Sequence, residues 1–261
     1  MRARHAKRLG VLVAAAGLAA GLAGCASAGP GASASSLSGE ITVFAAASLT
    51  VPFTALAEQF ESANPGTTVT LNFAGSADLV TQIIEGAPAD VFASADLDNM
   101  SKLTRHDLVD GEPIEFATNV LTIAVPPSNP AGIKTFADLA EPGVRLVTCA
   151  PEVPCGRAAV AVADASGVIL SSVSEESSVT DVLGKVTSGE ADAGLVYITD
   201  VIAAGDAVSG IEFAESNTAV NTYPIVALTG SDAGEVAQAF IEFVTGDAGR
   251  SVLAAAGFGQ Q

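Results

Sequence analysis

The chain has 261 residues, with 29 acidic against 11 basic side chains and a formal net charge of −18. Binding to nucleic acid rests on basic groups that neutralise phosphates, so this acidic excess excludes nucleic acid as the partner. Two histidines and three cysteines are a thin stock from which to build a metal centre.

Met1 to Arg8 holds Arg2, Arg4, Lys7 and Arg8, and Leu9 to Gly24 is an apolar run of Ala, Leu, Val and Gly. That run is short for a membrane span, which needs ~20 residues. A basic head followed by a short apolar run reads as a secretory signal over residues 1–24. It ends in "LAGC", Leu22 to Cys25, which resembles the lipobox of bacterial lipoproteins. The resemblance implies cleavage before Cys25 and a diacylglyceryl group on its thiol. The alternative is a plain secretion signal beside an incidental cysteine. Residues 25–39 are small and polar and read as a flexible tether. The expected product is an exported protein, held on the outer face of the cytoplasmic membrane by that lipid alone. With the signal gone, 7 basic residues face 29 acidic ones, a net charge near −22, and His106 is the histidine that remains.

Beyond the tether, strand-like and helix-like patterns alternate. Ile41–Ala45 predicts a strand and Thr50–Ala63 a helix whose Phe53, Leu56 and Phe60 recur at spacings of three and four. Pro52 falls in the first turn, where a missing N–H does no harm, and "NPG" at Asn64–Gly66 ends the helix. Strands follow at Thr68–Phe73 and Asp90–Ser94, around a helix at Ala77–Glu85. After a short helical region come strands at Val120–Val125, Arg145–Thr148, Ala193–Tyr197, Ile211–Phe213 and Tyr223–Leu228. Between them are helices at Thr135–Ala140, from near Gly156, at Val179–Thr187 and after Tyr197. The chain closes with helices at Gly234–Val244 and Ala248–Ala256. This alternation predicts an α/β protein of mainly parallel sheets with helices on both faces. Its length allows two lobes.

Ligands of open α/β sheets bind beyond the carboxyl ends of strands, where helices begin. At "AAASLT" Ser48 lies between a strand and a helix. At "FAGSADL" Gly75 permits an unusual backbone angle and Ser76 precedes a helix with Asp78 in its first turn. For either serine alone a helix cap is the first reading. Two such junctions padded with Ala and Gly favour a shared anion site, because helix N-termini offer unpaired N–H donors and partial positive charge.

A third junction is "TCAPEVPCGR", Thr148 to Arg157. In an exported protein, paired cysteines form a disulfide more often than a metal site, and zinc would need further ligands. Cys149 and Cys155 are therefore expected to be bonded, which contributes roughly 2 kcal/mol for so short a loop. The bridge either stiffens a loop or also fixes backbone N–H donors before the helix; the sequence leaves both open.

Taken together, "ITVFAAASLT", "FAGSADL", "GAPADVFASAD", "PEVPCG" and "GLVY" resemble, in order, the motifs of the periplasmic molybdate-binding proteins of ABC transporters. The likeness runs from about Glu40 to the C-terminus. It implies a two-lobed periplasmic-binding-protein fold with two crossover strands: lobe 1 at residues 40–118 and 223–261, lobe 2 at 119–222. It also implies an ABC permease as partner, a monomer, and no cofactor beyond the molybdate or tungstate ligand. Carried over position by position, the ligand set is Ser48, Ser76, Cys155, Val179 and Tyr197. If molybdenum is counted as a metal, these same residues are its site. Cys155 departs from the family's usual alanine, but the contact there is a backbone N–H. Tyr197 has a core role as its alternative reading.

None of these positions is basic, so the dianion would be held by oriented neutral dipoles. Three other readings are weighed. A sulfate- or phosphate-binding protein keeps the fold and changes the ligand. An exported serine hydrolase needs a base for its nucleophile, yet His106 sits in "TRHDLVD", no Ser-x-x-Lys pair exists, and "AGSAD" is not a nucleophile elbow. A purely structural surface lipoprotein leaves the three junctions unexplained.

Overall fold

The computed structural model of the protein describes residues 37–260. The signal at 1–24, Cys25 and most of the tether lie outside the described residues. Among the described residues no helix is long and apolar enough to cross a membrane.

β1 (Gly39–Ala46) has apolar residues on both faces, as a strand covered on both sides requires. Ile41, Val43 and Ala45 enter one core, and Phe44 enters another on the opposite face. β1 pairs in parallel with β2 (Thr67–Ala74) and β3 (Val91–Ala93). α1 (Thr50–Ala63) lies between β1 and β2 in sequence and buries Phe53, Leu56, Ala57 and Phe60. α2 (Ser76–Ile84) and α3 (Leu97–Arg105) cover the other face through Leu79, Val80, Ile83, Met100 and Leu103.

β4 (Val109–Asn119) follows, and one residue later β5 (Leu121–Val125) belongs to a different sheet. That second sheet also holds β6 (Leu146–Cys149), β7 (Ser172–Glu176), β8 (Ala193–Tyr197) and β9 (Ser209–Ile211), in the order β7-β6-β8-β5-β9. Its helices are α4 (Pro154–Ser166), α5 (Val179–Thr187) and α6 (Ile198–Ala204). β10 (Asn221–Leu228) then returns to the first sheet, whose order is β2-β1-β3-β10-β4. α7 (Gly234–Thr245) and α8 (Asp247–Ala255) pack there too, with Phe240 edge-on to Phe53 and Phe60.

The sheets are more mixed than the alternation predicts. In each, two strand pairings are parallel and two antiparallel. The antiparallel pairings all involve β5 or β10, the strands beside the two chain crossings. A strand that enters from the other sheet has no crossover helix of its own, so nothing turns it parallel to its neighbours.

Two strands that the sequence pattern misses, β4 and β7, are both at sheet edges. β4 carries Gly111, Glu112, Pro113 and Glu115 and is largely exposed over its first seven residues. Edge strands need no buried face and tolerate proline and charge, so they lose the apolar signature.

Register fixes where the helices begin. β1 and β2 end side by side at Ala46 and Ala74, and β3 pairs Ala93 with Ala45. In the second sheet Cys149 is level with Glu176, and β8 is parallel to β6. Each sheet therefore presents several strand carboxyl ends along one edge.

Candidate functional site

Ser48 occupies a buried 3-10 turn, Ala47–Leu49, between β1 and α1. Its side chain caps no helix; Ser48 Oγ lies 2.9 Å from Tyr223 Oη, both buried. Ser76 is the first residue of α2 and likewise caps nothing. Its Oγ accepts the Ala95 N–H at 3.1 Å, which leaves the Ser76 O–H free to donate elsewhere. The cap reading fails for both serines. True side-chain caps occur at α3 and α5, where Asp96 accepts from Asn99 N and Ser178 from Asp181 N.

Gly75 corrects a second expectation. Its φ of −59° and ψ of 139° suit any residue. The constraint is space: a Cβ there would lie 2.0 Å from the Ser177 carbonyl oxygen, just before α5. Gly75 is what lets the first sheet's second junction touch the second sheet's.

On the other side, Cys149 ends β6 and is disulfide-bonded to Cys155, near the start of α4, with Cα atoms 5.7 Å apart. Val153 N–H donates to the Ala150 carbonyl, and Ala150 N–H to that of Glu176. The loop is thus tied to itself and to β7. Val179 is the first residue of α5, and Tyr197 the last of β8.

All five candidate residues, Ser48, Ser76, Cys155, Val179 and Tyr197, line one small pocket. Ala46, Ala47, Gly75 and Ala95 complete its small-residue wall. Four helical starts meet there, and no basic side chain lines it among the described residues. The Tyr197 hydroxyl is buried and has no hydrogen-bond partner among the described residues. An unpartnered buried hydroxyl costs roughly 1–3 kcal/mol, so a group that accepts its proton would recover that. Burial, with the neighbouring Tyr223, Asp96 and Asp200, holds the Tyr197 phenol well above its ordinary pKa. It is therefore a neutral donor at any physiological pH.

Arg157, on α4 two residues beyond Cys155, turns away from this cavity. Its Nε lies 3.1 Å from Oδ2 of both Asp96 and Asp98, and an Nη donates to the Glu152 carbonyl at 3.0 Å. The cation is spent on joining α4 to α3.

Sequence reasoning missed three polar groups around the cavity. Tyr223, the only other tyrosine of the chain, is fully buried and pairs with Ser48. Asn119, at the first crossing, donates to Thr199 Oγ1 at 2.8 Å. Asp200 accepts the Tyr197 N–H at 2.8 Å, and burial outweighs that bond to push its carboxyl up to about 7. The available signal was position: Asn119 and Tyr223 stand beside a crossing, and Asp200 lies in the first turn of the helix that follows β8.

Comparison with known proteins gives consistent likenesses. The sequence model of the family described as bacterial extracellular solute-binding protein matches residues 41–259. A protein named molybdate-binding protein ModA from Mycobacterium tuberculosis is 46% identical over 247 residues, covering 92% of this chain and 94% of its own. The solved periplasmic molybdate-binding protein of Azotobacter vinelandii superposes with a TM-score of 0.72 at 24% identity, covering 85% of this chain and 99% of its own. The sulfate-binding protein SubI of Mycobacterium tuberculosis gives 0.71 at 22% identity, covering 84% and 86%. At these identities the two structures speak for the fold alone.

Proposed function

The chain belongs to the family of bacterial extracellular solute-binding proteins, and within it we propose that this protein captures molybdate or tungstate in the cavity between its two sheets. It acts outside the cytoplasm, by binding, with no bond made or broken. The observation that carries the reading is the meeting of two serine hydroxyls, four helical starts and an unpartnered tyrosine hydroxyl in one small pocket without a basic side chain.

Binding follows from the donors. Ser48 and Ser76 present hydroxyls from the first sheet, Tyr197 a hydroxyl from the second. Cys155 and Val179 supply backbone N–H groups at the first turns of α4 and α5. Oriented dipoles in a dry site stabilise a dianion without a counter-ion, because they are already aligned and need not reorganise. A set of donors alone also selects by protonation. Hydrogen phosphate brings its own O–H, which finds no acceptor there and loses a hydrogen bond that water had satisfied. Sulfate is a fully deprotonated dianion too, so size is what separates it from the larger molybdate and tungstate.

The two sheets are read as two lobes, residues 40–118 with 223–261 and residues 119–222, hinged at the crossings beside Asn119 and Asn221. Closing them on the ion forms the shape delivered to an ABC permease. The protein works as a monomer, tethered by a lipid on Cys25; what supports the tether is the "LAGC" run.

Isothermal titration of the purified protein with molybdate, tungstate, sulfate and phosphate tests the whole reading. The first two should bind far more tightly than the others. Tight sulfate binding with weak molybdate binding would reassign the ligand, and no binding of any oxyanion would remove the site.

A further inference from the structure

We propose that Tyr223 is a positioning residue for the oxyanion site: its O–H donates to Ser48 Oγ and so commits the Ser48 O–H to the cavity. This rests on the reading of Ser48 as an anion donor.

The geometry leaves two ways to place the proton between Ser48 Oγ and Tyr223 Oη, 2.9 Å apart. A phenol is the more acidic hydroxyl, and its oxygen, conjugated with the ring, is the poorer acceptor. The bond therefore runs from Tyr223 to Ser48. A serine hydroxyl has one proton and two lone pairs. Once Tyr223 fills one lone pair, the serine proton has no use in that direction and turns to the cavity that Ser48 lines. Tyr223 itself does not line that cavity.

Its setting suits this role. Tyr223 sits on β10, two residues after the chain returns from the second sheet. Its ring is held edge-on by Phe116, Phe258 and Tyr197, at centroid distances of 6.3, 5.3 and 6.2 Å. Burial pushes the Tyr223 phenol above its ordinary value, so it stays protonated and remains a donor. Ser76 has the same arrangement from a different source, since the Ala95 N–H fills its lone pair. Each serine thus accepts one bond from the protein and keeps one to give.

A double-mutant cycle read by molybdate titration tests this. Ser48→Ala should weaken binding roughly ten- to a hundredfold, as for a bond to a charged group. Tyr223→Phe keeps the ring and should weaken binding roughly three- to tenfold in the wild-type background. In the Ser48→Ala background the same change should have almost no effect, because the residue it acts through is gone. Equal losses in both backgrounds, or no loss in either, overturn the role of Tyr223 while the site stands. Ser48→Ala binding as wild type overturns the site reading itself. A second measurement does not need the Phe variant to fold. With tyrosine labelled at Cζ, the Tyr223 resonance, assigned through Tyr197→Phe, should move when Ser48 becomes alanine; an unmoved resonance overturns the proposal.

Discussion

Two of the contacts between the first sheet's half and the second have opposite chemistry. The cavity brings Ser48 and Ser76 toward Cys155, Val179 and Tyr197 with neutral groups that are nearly all buried. The rim brings Arg157 to Asp96 and Asp98, the arginine 37% and Asp98 65% exposed but Asp96 only 11%. The difference follows from solvent. A full cation inside the cavity would need desolvating before any ligand arrives, whereas hydroxyls and helix ends cost less to bury and still point at the anion. At the rim, water keeps charged groups inexpensive and equally keeps their attraction small.

The comparison breaks if the cavity's neutral donors are dispensable. Tyr197→Phe, Ser48→Ala and Ser76→Ala should each weaken molybdate binding roughly ten- to a hundredfold, with Tyr197→Phe leaving the unliganded protein as stable or more so. That last sign follows from its unpartnered hydroxyl. The quantity to follow is the ligand-induced rise in melting temperature, which tracks mass action on the folded state. Full-strength binding by all three variants would remove the neutral-donor account.

A pH series sharpens it. Asp200 is a charged residue type in the neutral region, and its folded value of about 7 lies above its ordinary 3.8. The fold therefore binds this proton more tightly than the unfolded chain does. Its stabilisation is complete below about pH 4 and is lost as pH rises through 7. Asp200→Asn, which mimics the protonated acid, should match wild-type stability at about pH 4 or below and exceed it at pH 8, the gap opening progressively between about pH 4 and 7. Unliganded melting curves at both values decide this, and a variant that is less stable at pH 8 than wild type refutes it.

At the rim the effects should be smaller. Arg157→Ala removes an ion pair to exposed Asp98 and another to buried Asp96, which keeps the Asn99 N–H as a partner, a loss of about 1 kcal/mol. Molybdate affinity should then fall by about fivefold or less. The wild type's remaining advantage should shrink in high salt. A loss as large as that of Tyr197→Phe, unaffected by salt, would mean that Arg157 acts on the ion itself. Smallest of all, Lys134→Ala should leave the ligand-induced melting shift unchanged, because Lys134 does not line the cavity. If it abolishes binding while the serine variants bind normally, charge rather than oriented neutral dipoles holds the anion.

How much was legible beforehand depended on what each residue answers to. Phe53, Leu56 and Phe60 face a core, and periodicity placed α1 at the residues where it stands. α5 and β8 were equally plain. β4 and β7 were not, because an edge strand answers to backbone pairing, which any side chain permits. The junctions were visible as strand, small residues, serine, helix. Whether those serines capped their helices or pointed into a common space was not visible, since both uses demand the same residue. Register settled it, by ending β1 and β2 at Ala46 and Ala74 and turning Ser48 and Ser76 away from their own helix ends.

The sequence alone thus determined the local chemistry: acidic balance, alternating elements, small-residue junctions and a cysteine pair close enough to bond. Only the tertiary structure decided what those pieces face. It spent Arg157 on Asp96 and Asp98 rather than on the cavity. It made Gly75 necessary for the approach of Ser177 rather than for its backbone angle. It set Tyr223 against Ser48 across 175 positions of sequence. The physical reason is range: propensity and periodicity act over a few residues, whereas hydrogen-bond partners and close approaches are fixed by strand order and register, which bring distant segments together.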